Sequence, residues 1–284
     1  MNNIPSQQST AAILGLGLIG SIWAAHLETD GVLAASWNRT PKPGVPKFQS
    51  NLASIPEQAL IIHLVVSDEH AAHDVIERIV PKLTPKHLII QSTTIDPETS
   101  TTIKSRVEAR GARYLEAPFT GSLPAAQQRK TVFYLGGSPE LMEEAFPYLR
   151  RFSQNWFHLG DNKQACVFKL AMNLQLASAI SVLSESLTIA RKAGISDDLF
   201  FTAFKANASF SPMAALKEPK LRANDFTPQF SIKHMRKDMR LLAKGAPAGQ
   251  FSMLDAVRNI LKKADEAGYD DLDVAAVIKL LNVP

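Results

Sequence analysis

Three glycines near the start of the chain have the spacing of a phosphate-binding turn. Gly15-Leu16-Gly17-Leu18-Ile19-Gly20 follows an apolar run, 11–14, that predicts a strand, and it opens a helical pattern over 19–27. In such a unit the first glycine permits the tight turn, the second lets backbone approach a pyrophosphate, and the third allows close helix–strand packing. The amides of the helix N-terminus attract the anion. The predicted dinucleotide contacts are Gly15, Gly17, Leu18, Ile19 and Gly20, and the alternative is a glycine turn that binds nothing.

The residues after the second predicted strand discriminate between the two nicotinamide cofactors. In NAD-selective sites a carboxylate stands there and accepts hydrogen bonds from the adenosine ribose. This chain has Asn38-Arg39-Thr40 instead, with no carboxylate. The guanidinium of Arg39 suits a 2′-phosphate. NADP is therefore favoured and NAD is less expected, and the alternative for Arg39 is an ordinary exposed loop arginine.

Four further segments follow one another along the chain in a recognisable order. They are Val66-Ser67, Thr93-Thr94-Ile95-Asp96-Pro97, Glu116-Ala117-Pro118-Phe119-Thr120-Gly121-Ser122 and Lys237-Asp238-Met239. With Asn38-Arg39-Thr40, they resemble the β-hydroxyacid dehydrogenase family, which includes 3-hydroxyisobutyrate dehydrogenases and glyoxylate or succinic semialdehyde reductases. The resemblance covers about residues 11–243. It implies cofactor contacts at Asn38, Arg39, Thr40, Val66, Ser67, Thr93, Thr94 and Lys237, and a loop of Thr120, Gly121 and Ser122 that holds a substrate carboxylate.

The resemblance also assigns the chemistry, to Lys169 and Asn173. Four residues apart on one helix, the two side chains share a face. The implied reaction is hydride exchange between an alcohol carbon and nicotinamide C4, with Lys169 as general base or acid. Its pKa would have to fall from about 10.4 toward neutrality, which burial and nearby cations achieve. Asn173 would hold the substrate oxygen. Taken singly, a solvated lysine and a helix-surface asparagine are the plain alternatives.

The chain departs from the family pattern around these residues. Lys163 and Ala165 stand where the family usually has glycines, Met172 replaces the first of two asparagines, and Leu123-Pro124 follows Ser122 without a second glycine. Glycines mark places where a ligand comes close to backbone. The departures therefore affect the expected substrate geometry and leave the cofactor site intact.

The pattern of elements predicts two domains. Residues 1–161 alternate short apolar strands with helical stretches, which is typical of an α/β Rossmann-type doubly wound sheet. The proline-rich segment 41–46 predicts a loop. Residues 162–284 predict an all-helical substrate and dimerisation domain, linked by a helix over about 162–193. Predicted strands are 11–15, 32–37, 60–66, 87–92, 113–116, 132–135 and 156–158, and predicted helices are 19–27, 69–80, 97–110, 196–207, 230–245, 252–267 and 273–282.

Composition restricts the classes of partner. The 284 residues include one cysteine, Cys166, so there is no internal disulfide framework and a reducing compartment is expected. The polar segment 1–10 has no signal-peptide pattern, and no apolar run approaches the roughly 18 residues of a membrane span, so a cytoplasmic protein without membrane contact is expected. Nucleic acid is not expected, because no aromatic-interleaved basic motif occurs. His70 and His73 suit a surface helix better than a metal site, so no metal is expected.

Basic residues are concentrated between Lys217 and Arg240, a segment with seven basic and three acidic residues. A solvated helical face is one interpretation, and a bound anion is the other. The family resemblance also implies a homodimer and a small, carboxylate-bearing substrate. Two other functions stay open. The first is an imine reductase, although that group often replaces the catalytic lysine, which this chain keeps as Lys169. The second is a non-catalytic NADP-binding sensor, although a sensor has no need of such a lysine.

Overall fold

The computed structural model describes residues 10–42, 44–247 and 249–281. The chain divides into two compact units, Met1–Lys169 and Leu170–Pro284, which are described separately. Most of the polar N-terminal segment, Pro43 of the predicted proline loop and residue 282 of the last predicted helix lie outside the described residues.

The first unit is built on parallel strands. The strands are β1 (Ala11–Leu14), β2 (Leu33–Trp37), β3 (Ile61–Leu64), β4 (Leu88–Gln91), β5 (Arg113–Glu116), β6 (Phe119–Thr120), β7 (Val132–Leu135) and β8 (Asn155–His158). The first five form a parallel sheet in the order β2-β1-β3-β4-β5. In a second sheet, β7 pairs antiparallel with β6 and parallel with β8. Two backbone hydrogen bonds between Glu116 and Gly136, 3.1 and 2.8 Å, join the sheets. The strand β6 is too short to leave a periodic pattern and was not predicted.

Helices cover both faces of the parallel sheet. They are α1 (Leu18–Thr29), α2 (Glu69–Ile79), α3 (Pro97–Glu108), α4 (Leu123–Gln127) and α5 (Pro139–Leu149), with 3-10 helices at Leu52–Glu57 and Val80–Lys82. In β1, Ala12 and Leu14 enter a core shared with α2 and α3, while Ala11 and Ile13 enter a core shared with α1 and α5. The alternation of side chains along a strand supplies both cores. The predicted doubly wound Rossmann-type class is confirmed.

The helix α6 (Asn162–Lys192) contributes to both units. Its 31 residues span about 46 Å at 1.5 Å per residue. The helix begins at the predicted domain boundary of residues 161/162, whereas the two compact units divide between Lys169 and Leu170. Although the sequence has no uninterrupted apolar run of membrane-spanning length, α6 is long and apolar enough to cross a membrane, with a mean hydropathy of 1.6 over an 18-residue window. Core helices of soluble proteins meet the same criterion, and 44% of that window is buried.

The second unit is helical among the described residues. After α6 come α7 (Asp197–Lys205), α8 (Pro212–Ala223), α9 (Ile232–Lys244), α10 (Ser252–Glu266) and a 3-10 helix, Val274–Leu281. Their shared core includes Ile180, Leu187, Phe201, Met235 and Leu261. The segment predicted as a helix over 273–282 is the 3-10 helix. The helix α8 was not predicted, because it begins at Pro212 and contains Pro219.

The basic run between Lys217 and Arg240 is not a uniformly solvated face, because several of its side chains are buried or paired with carboxylates. Lys217 is buried and pairs with Asp273 at 2.7 Å, and Lys220 is buried and donates to the Thr227 carbonyl oxygen at 2.6 Å. Arg222 and Arg236 each pair with two carboxylates. Much of the positive charge is therefore neutralised within the unit.

Candidate functional site

The three glycines of the first turn serve different physical needs. Gly15 has φ +106°, and a Cβ there would lie 2.2 Å from the Val65 carbonyl oxygen. A Cβ at Gly20 would lie 1.9 Å from the Gly15 carbonyl oxygen. A Cβ at Gly17 would meet nothing within 4 Å. The fold itself thus requires Gly15 and Gly20, whereas Gly17 keeps open the space in front of the helix.

The N-terminus of α1 faces that open space without a side-chain cap. Its N-cap residue is Gly17, which has no side chain that could cap the helix. The first amides of a helix have no partner within the helix, and they carry a partial positive charge. Leu18 is 57% exposed, while Ile19 packs against the core and can contribute only its backbone to a ligand. An open cradle, amide donors and an exposed apolar side chain fit the pyrophosphate and adjacent sugar of a dinucleotide.

Asn38 holds the end of β2 against the glycine turn. Its Oδ1 accepts from the Leu16 amide at 3.0 Å, and its Nδ2 donates to the Thr40 carbonyl oxygen at 2.8 Å. Both ends of its amide are therefore engaged with backbone, and its contribution is to shape the loop. Arg39 and Thr40 are exposed. Arg39 therefore directly follows the residue that binds the glycine turn.

The predicted contacts after β3 and β4 lie beside each other. The amide of Val66 donates to Thr93 Oγ1 at 2.9 Å. Gln91, the last residue of β4, bonds both the amide and the carbonyl of Thr93, each at 2.7 Å. Ser67 donates to Asp68, the N-cap of α2, at 2.7 Å. The structure therefore brings Val66, Ser67, Thr93 and Thr94 to the carboxyl edge of the sheet, where open α/β sheets bind ligands.

The predicted substrate loop leaves the same edge after β5. Thr120 ends β6, and Gly121 has φ +151°, a conformation that favours glycine. Ser122 is the N-cap residue of α4, but its side chain makes no capping hydrogen bond. Pro124 lies in the first turn of α4, where a proline is tolerated because the missing N–H needs no partner. The departure Leu123-Pro124 therefore starts a helix directly after Ser122.

Lys169 and Asn173 are both buried on α6, four residues apart. In the second unit, Asn173 Nδ2 donates to Asp238 Oδ2 at 2.6 Å. Lys237 Nζ lies 2.8 Å from Asp238 Oδ1. Asp238 thus joins two predicted site residues and fixes the plane of the Asn173 amide. The sequence analysis missed this role, although Asp238 stands inside the motif that drew attention to Lys237.

Glu116 is the second residue that the sequence analysis did not single out. It is fully buried at the end of β5 and accepts from Ser100 at 2.5 Å and Tyr114 at 2.6 Å. Burial raises its pKa from the ordinary 4.5 to about 7, and the hydrogen bonds oppose that rise. Burial also raises the pKa of the neighbouring Cys166 thiol well above its usual value, so Cys166 is a protonated, packed thiol. The sequence feature that could have identified Glu116 is a glutamate at the end of an apolar predicted strand.

No group of three or more potential metal ligands occurs among residues 10–42, 44–247 and 249–281.

Two family models together span most of the chain. The model for the NAD binding domain of 6-phosphogluconate dehydrogenase matches residues 10–160. The model for the NAD-binding domain of NADP-dependent 3-hydroxyisobutyrate dehydrogenase matches residues 164–281. The first match alone covers more than half of the chain.

Individual proteins of two kinds are similar to this chain. Glyoxylate/succinic semialdehyde reductase 1 of Arabidopsis thaliana is 29% identical over 277 residues, covering 94% of this chain and 96% of the relative. The cytokine-like nuclear factor N-PAC of Drosophila melanogaster is 30% identical over 286 residues, which are 96% of this chain but 47% of the relative. A solved 3-hydroxyisobutyrate dehydrogenase of Salmonella typhimurium superposes with a TM-score of 0.86 at 22% identity, covering 96% and 99% of the two chains. That last likeness concerns the fold alone.

Proposed function

The chain belongs to the β-hydroxyacid dehydrogenase family of NAD(P)-dependent oxidoreductases, and from that premise we propose that it reduces a small semialdehyde or oxoacid with NADPH, or oxidises the corresponding hydroxyacid with NADP. The observation that carries the proposal is the burial of Lys169 and Asn173 together on α6. Burial disfavours the charged form of a lysine, which suits a group that must both give and take a proton. Lys169 is the proposed general acid–base.

Proton movement is the task proposed for Lys169. Nicotinamide, when bound, supplies or accepts the hydride at C4. During reduction the Lys169 ammonium donates a proton to the carbonyl oxygen as the hydride reaches the carbonyl carbon, which yields the alcohol. During oxidation the neutral amine takes the hydroxyl proton. Asn173, held by Asp238, orients the substrate oxygen, and Thr120, Gly121 and Ser122 bind the carboxylate through hydroxyl and amide donors.

The preference for NADP rests on Arg39. It is exposed and directly follows Asn38, and no carboxylate stands between Trp37 and Thr40. An arginine pairs with a phosphate through two charge-assisted hydrogen bonds. Asn38 and Thr40 shape this loop, and Lys237 is the proposed cofactor contact from the second unit.

The reaction is tested by following NADPH oxidation with glyoxylate, succinic semialdehyde and a cyclic imine. We expect turnover of an aldehyde by the wild type and a loss of at least 100-fold in kcat for Lys169→Ala, in the range of general acid–base catalysis. Lys192→Ala, which changes an exposed lysine at the C-terminal end of α6, is the matched control and should keep full activity. Unchanged aldehyde turnover by Lys169→Ala would contradict the mechanism.

The same panel separates the two alternatives. Turnover of the imine alone would indicate an imine reductase. Tight NADPH binding with no turnover of any compound would indicate a sensor, the possibility that the similarity to a nuclear factor favours. The presence of Lys169 at a buried position supports the semialdehyde or oxoacid reductase over both alternatives.

A homodimer and a cytoplasmic location complete the proposal. Apolar side chains on α6 and α7, including Val182, Ile189 and Leu199, are exposed in the single chain. Such a surface is typical of a subunit interface. The single, buried thiol suits a reducing compartment. Small molecules, rather than nucleic acid or a membrane, are the proposed partners.

A further inference from the structure

The side chain of Gln91 pairs with the backbone of Thr93 as a neighbouring strand would. Gln91 Oε1 accepts from the Thr93 amide, and Gln91 Nε2 donates to the Thr93 carbonyl oxygen, both at 2.7 Å. Gln91 is fully buried. A flipped amide would set two donors against each other and two acceptors against each other, so this orientation is the only one that satisfies Thr93. The turn that leaves β4 is therefore locked by one side chain.

Glu116 holds Gln91 in that orientation. The second N–H of Gln91 Nε2 points to Glu116 Oε1 at 3.2 Å. The other carboxylate oxygen accepts from Ser100 and Tyr114. Ser100 Oγ accepts from Asn162 Nδ2 at 2.9 Å and donates its own proton to Glu116. The carboxylate is thus fixed by donors from β4, β5 and α3.

The chain of contacts continues to the next strand. Thr93 Oγ1 accepts from the Val66 amide at 2.9 Å, so Glu116, Gln91, Thr93 and Val66 form a continuous path across the ends of β5, β4 and β3. Thr93 and Val66 are both proposed cofactor contacts, and in the family that the chain resembles the threonine at the Thr93 position contacts the nicotinamide half. The glycine turn and Arg39, proposed for the phosphate half, are not members of this path.

Structural support alone is a poor explanation for this network. Burying a carboxylate is costly, and well-packed apolar side chains often stabilise a core equally well. Burial has moved the pKa of Glu116 to about 7, which shows that its charged form is disfavoured by its surroundings. Groups kept in that state are concentrated at functional sites.

We propose that Glu116 and Gln91 are positioning residues that hold the Thr93 and Val66 backbone in the shape that receives the nicotinamide ring. This inference rests on the proposed function. It assigns to Glu116 no contact with cofactor or substrate. It predicts that the pair affects binding of the nicotinamide half selectively.

The test compares two ligands on two variants. Dissociation constants are measured for NADPH and for 2′-phospho-ADP-ribose, which lacks nicotinamide. Gln91→Met removes both polar ends of the side chain at nearly constant length. Tyr148→Phe is the matched control, because it also removes a buried hydrogen bond of the first unit, from the Tyr148 hydroxyl to His63, and neither residue is a member of this path.

We expect Gln91→Met to weaken NADPH binding at least tenfold and to leave 2′-phospho-ADP-ribose within twofold of the wild type. Tyr148→Phe should bind both ligands normally. Equal weakening of both ligands by Gln91→Met, or no weakening of either, would overturn the positioning role. A wild type that binds neither NADPH nor 2′-phospho-ADP-ribose would instead overturn the proposed function.

If Gln91→Met does not fold, Glu116→Asp makes the same comparison. Its side chain is one methylene shorter and cannot keep the contacts to both Gln91 and Ser100. The same selective loss of NADPH affinity is expected, and an unchanged ratio of the two dissociation constants would overturn the proposal.

Discussion

Glu116 and His63 are both completely buried in the first unit, and burial acts on their pKa values in opposite directions. Glu116 has a pKa raised to about 7 and His63 a pKa lowered to about 3, both chiefly through loss of solvation. The folded state therefore favours protonated Glu116 and neutral His63. Linkage then gives opposite contributions to the pH dependence of stability.

Glu116→Gln makes the first contribution measurable. In the wild type the folded pKa of Glu116 exceeds the unfolded value of 4.5, so the stability contributed by its protonated form is lost as pH rises from about 4.5 to 7. The variant cannot titrate at this position. We expect its free energy of unfolding, relative to the wild type, to increase across that window by on the order of 3 kcal/mol, at about 1.4 kcal/mol per pKa unit. Urea unfolding at pH 4.5, 6 and 8 measures this, and a pH-independent difference would contradict it.

Hydrogen bonds fix the tautomer of His63. Ser92 Oγ donates to the Ala117 carbonyl oxygen at 2.6 Å, so at the 2.7 Å contact His63 Nε2 must be the donor. His63 Nδ1 is then the acceptor of the Tyr148 hydroxyl proton at 3.0 Å. The neutral ring is satisfied at both nitrogens.

Tyr148→Phe should leave Nδ1 of His63 buried without its donor. An unsatisfied buried acceptor costs about 1–3 kcal/mol. We expect a loss of that size in the free energy of unfolding at pH 7, with the cofactor affinity intact. Tyr134, which is buried in the same unit, is changed to Phe as the control and should lose less, and equal losses would argue against a stabilising hydrogen bond between Tyr148 and His63.

At the scale of elements, α1 and α4 are joined at their C-terminal ends. Arg129, just after α4, has φ +57°, which an L-residue other than glycine adopts at a cost. Its guanidinium forms two 2.8 Å hydrogen bonds with Asp30, the C-cap residue of α1, and Arg151 adds a third at 3.1 Å. A carboxylate at a helix C-terminus is unfavourable by itself, and the two arginines compensate for it.

Substitutions of Arg129 separate strain from pairing. Arg129→Ala loses the ion pair and keeps the unfavourable φ, whereas Arg129→Gly loses the pair but relieves the strain. We expect Arg129→Ala to be less stable than Arg129→Gly by about 1 kcal/mol. Equal stabilities in urea unfolding would show that the backbone there relaxes.

Asp30→Asn gives the pH signature of the same clamp. The hydrogen bond from Arg129 is the chief cause that lowers the Asp30 pKa below 3.8, so the stabilisation is present above that pH and lost as pH falls through the folded pKa. The stability difference between wild type and Asp30→Asn should therefore shrink below about pH 4. A difference that persists unchanged to pH 2 would contradict the assignment.

The sequence predicted elements where a periodic pattern was long enough, and it failed where proline or brevity hid the pattern. All seven predicted strands occur, and six of them are apolar runs that are largely buried in the fold, whereas β8 is mostly exposed. The short β6 and α4 and the proline-containing α5 and α8 were missed. Within the site, the glycine turn is local and was readable. The bonds Gln91–Glu116 and Asn173–Asp238 join residues 25 and 65 apart, so they depend on strand order and helix packing that no local pattern encodes.

At the scale of the whole molecule, charge and apolar surface point to different partners. The basic run of the second unit is largely paired with its own carboxylates, which leaves little reason to expect a polyanion there. The exposed apolar side chains of α6 and α7, by contrast, remain in contact with water in the single chain. Near them lies a groove of about 340 Å³, lined by Ile195, Leu199, Phe200, Ala203, Phe204 and Asn207. We therefore expect the second unit to associate with another copy of the chain through this apolar surface.

The proposed homodimer is tested by placing a charge within that surface. Ile189 is 67% exposed on α6, seven residues after the exposed Val182, so both lie on one helical stripe. Ile189→Glu should be harmless to a monomer but would desolvate a carboxylate in an interface, which costs several kcal/mol. By light scattering at micromolar concentration we expect twice 31.1 kDa for the wild type and 31.1 kDa for Ile189→Glu. Asn259→Glu, an exposed change on α10, is the control and should stay dimeric. A wild type of 31.1 kDa would refute the dimer, and an undiminished mass for Ile189→Glu would place the interface elsewhere than on this stripe.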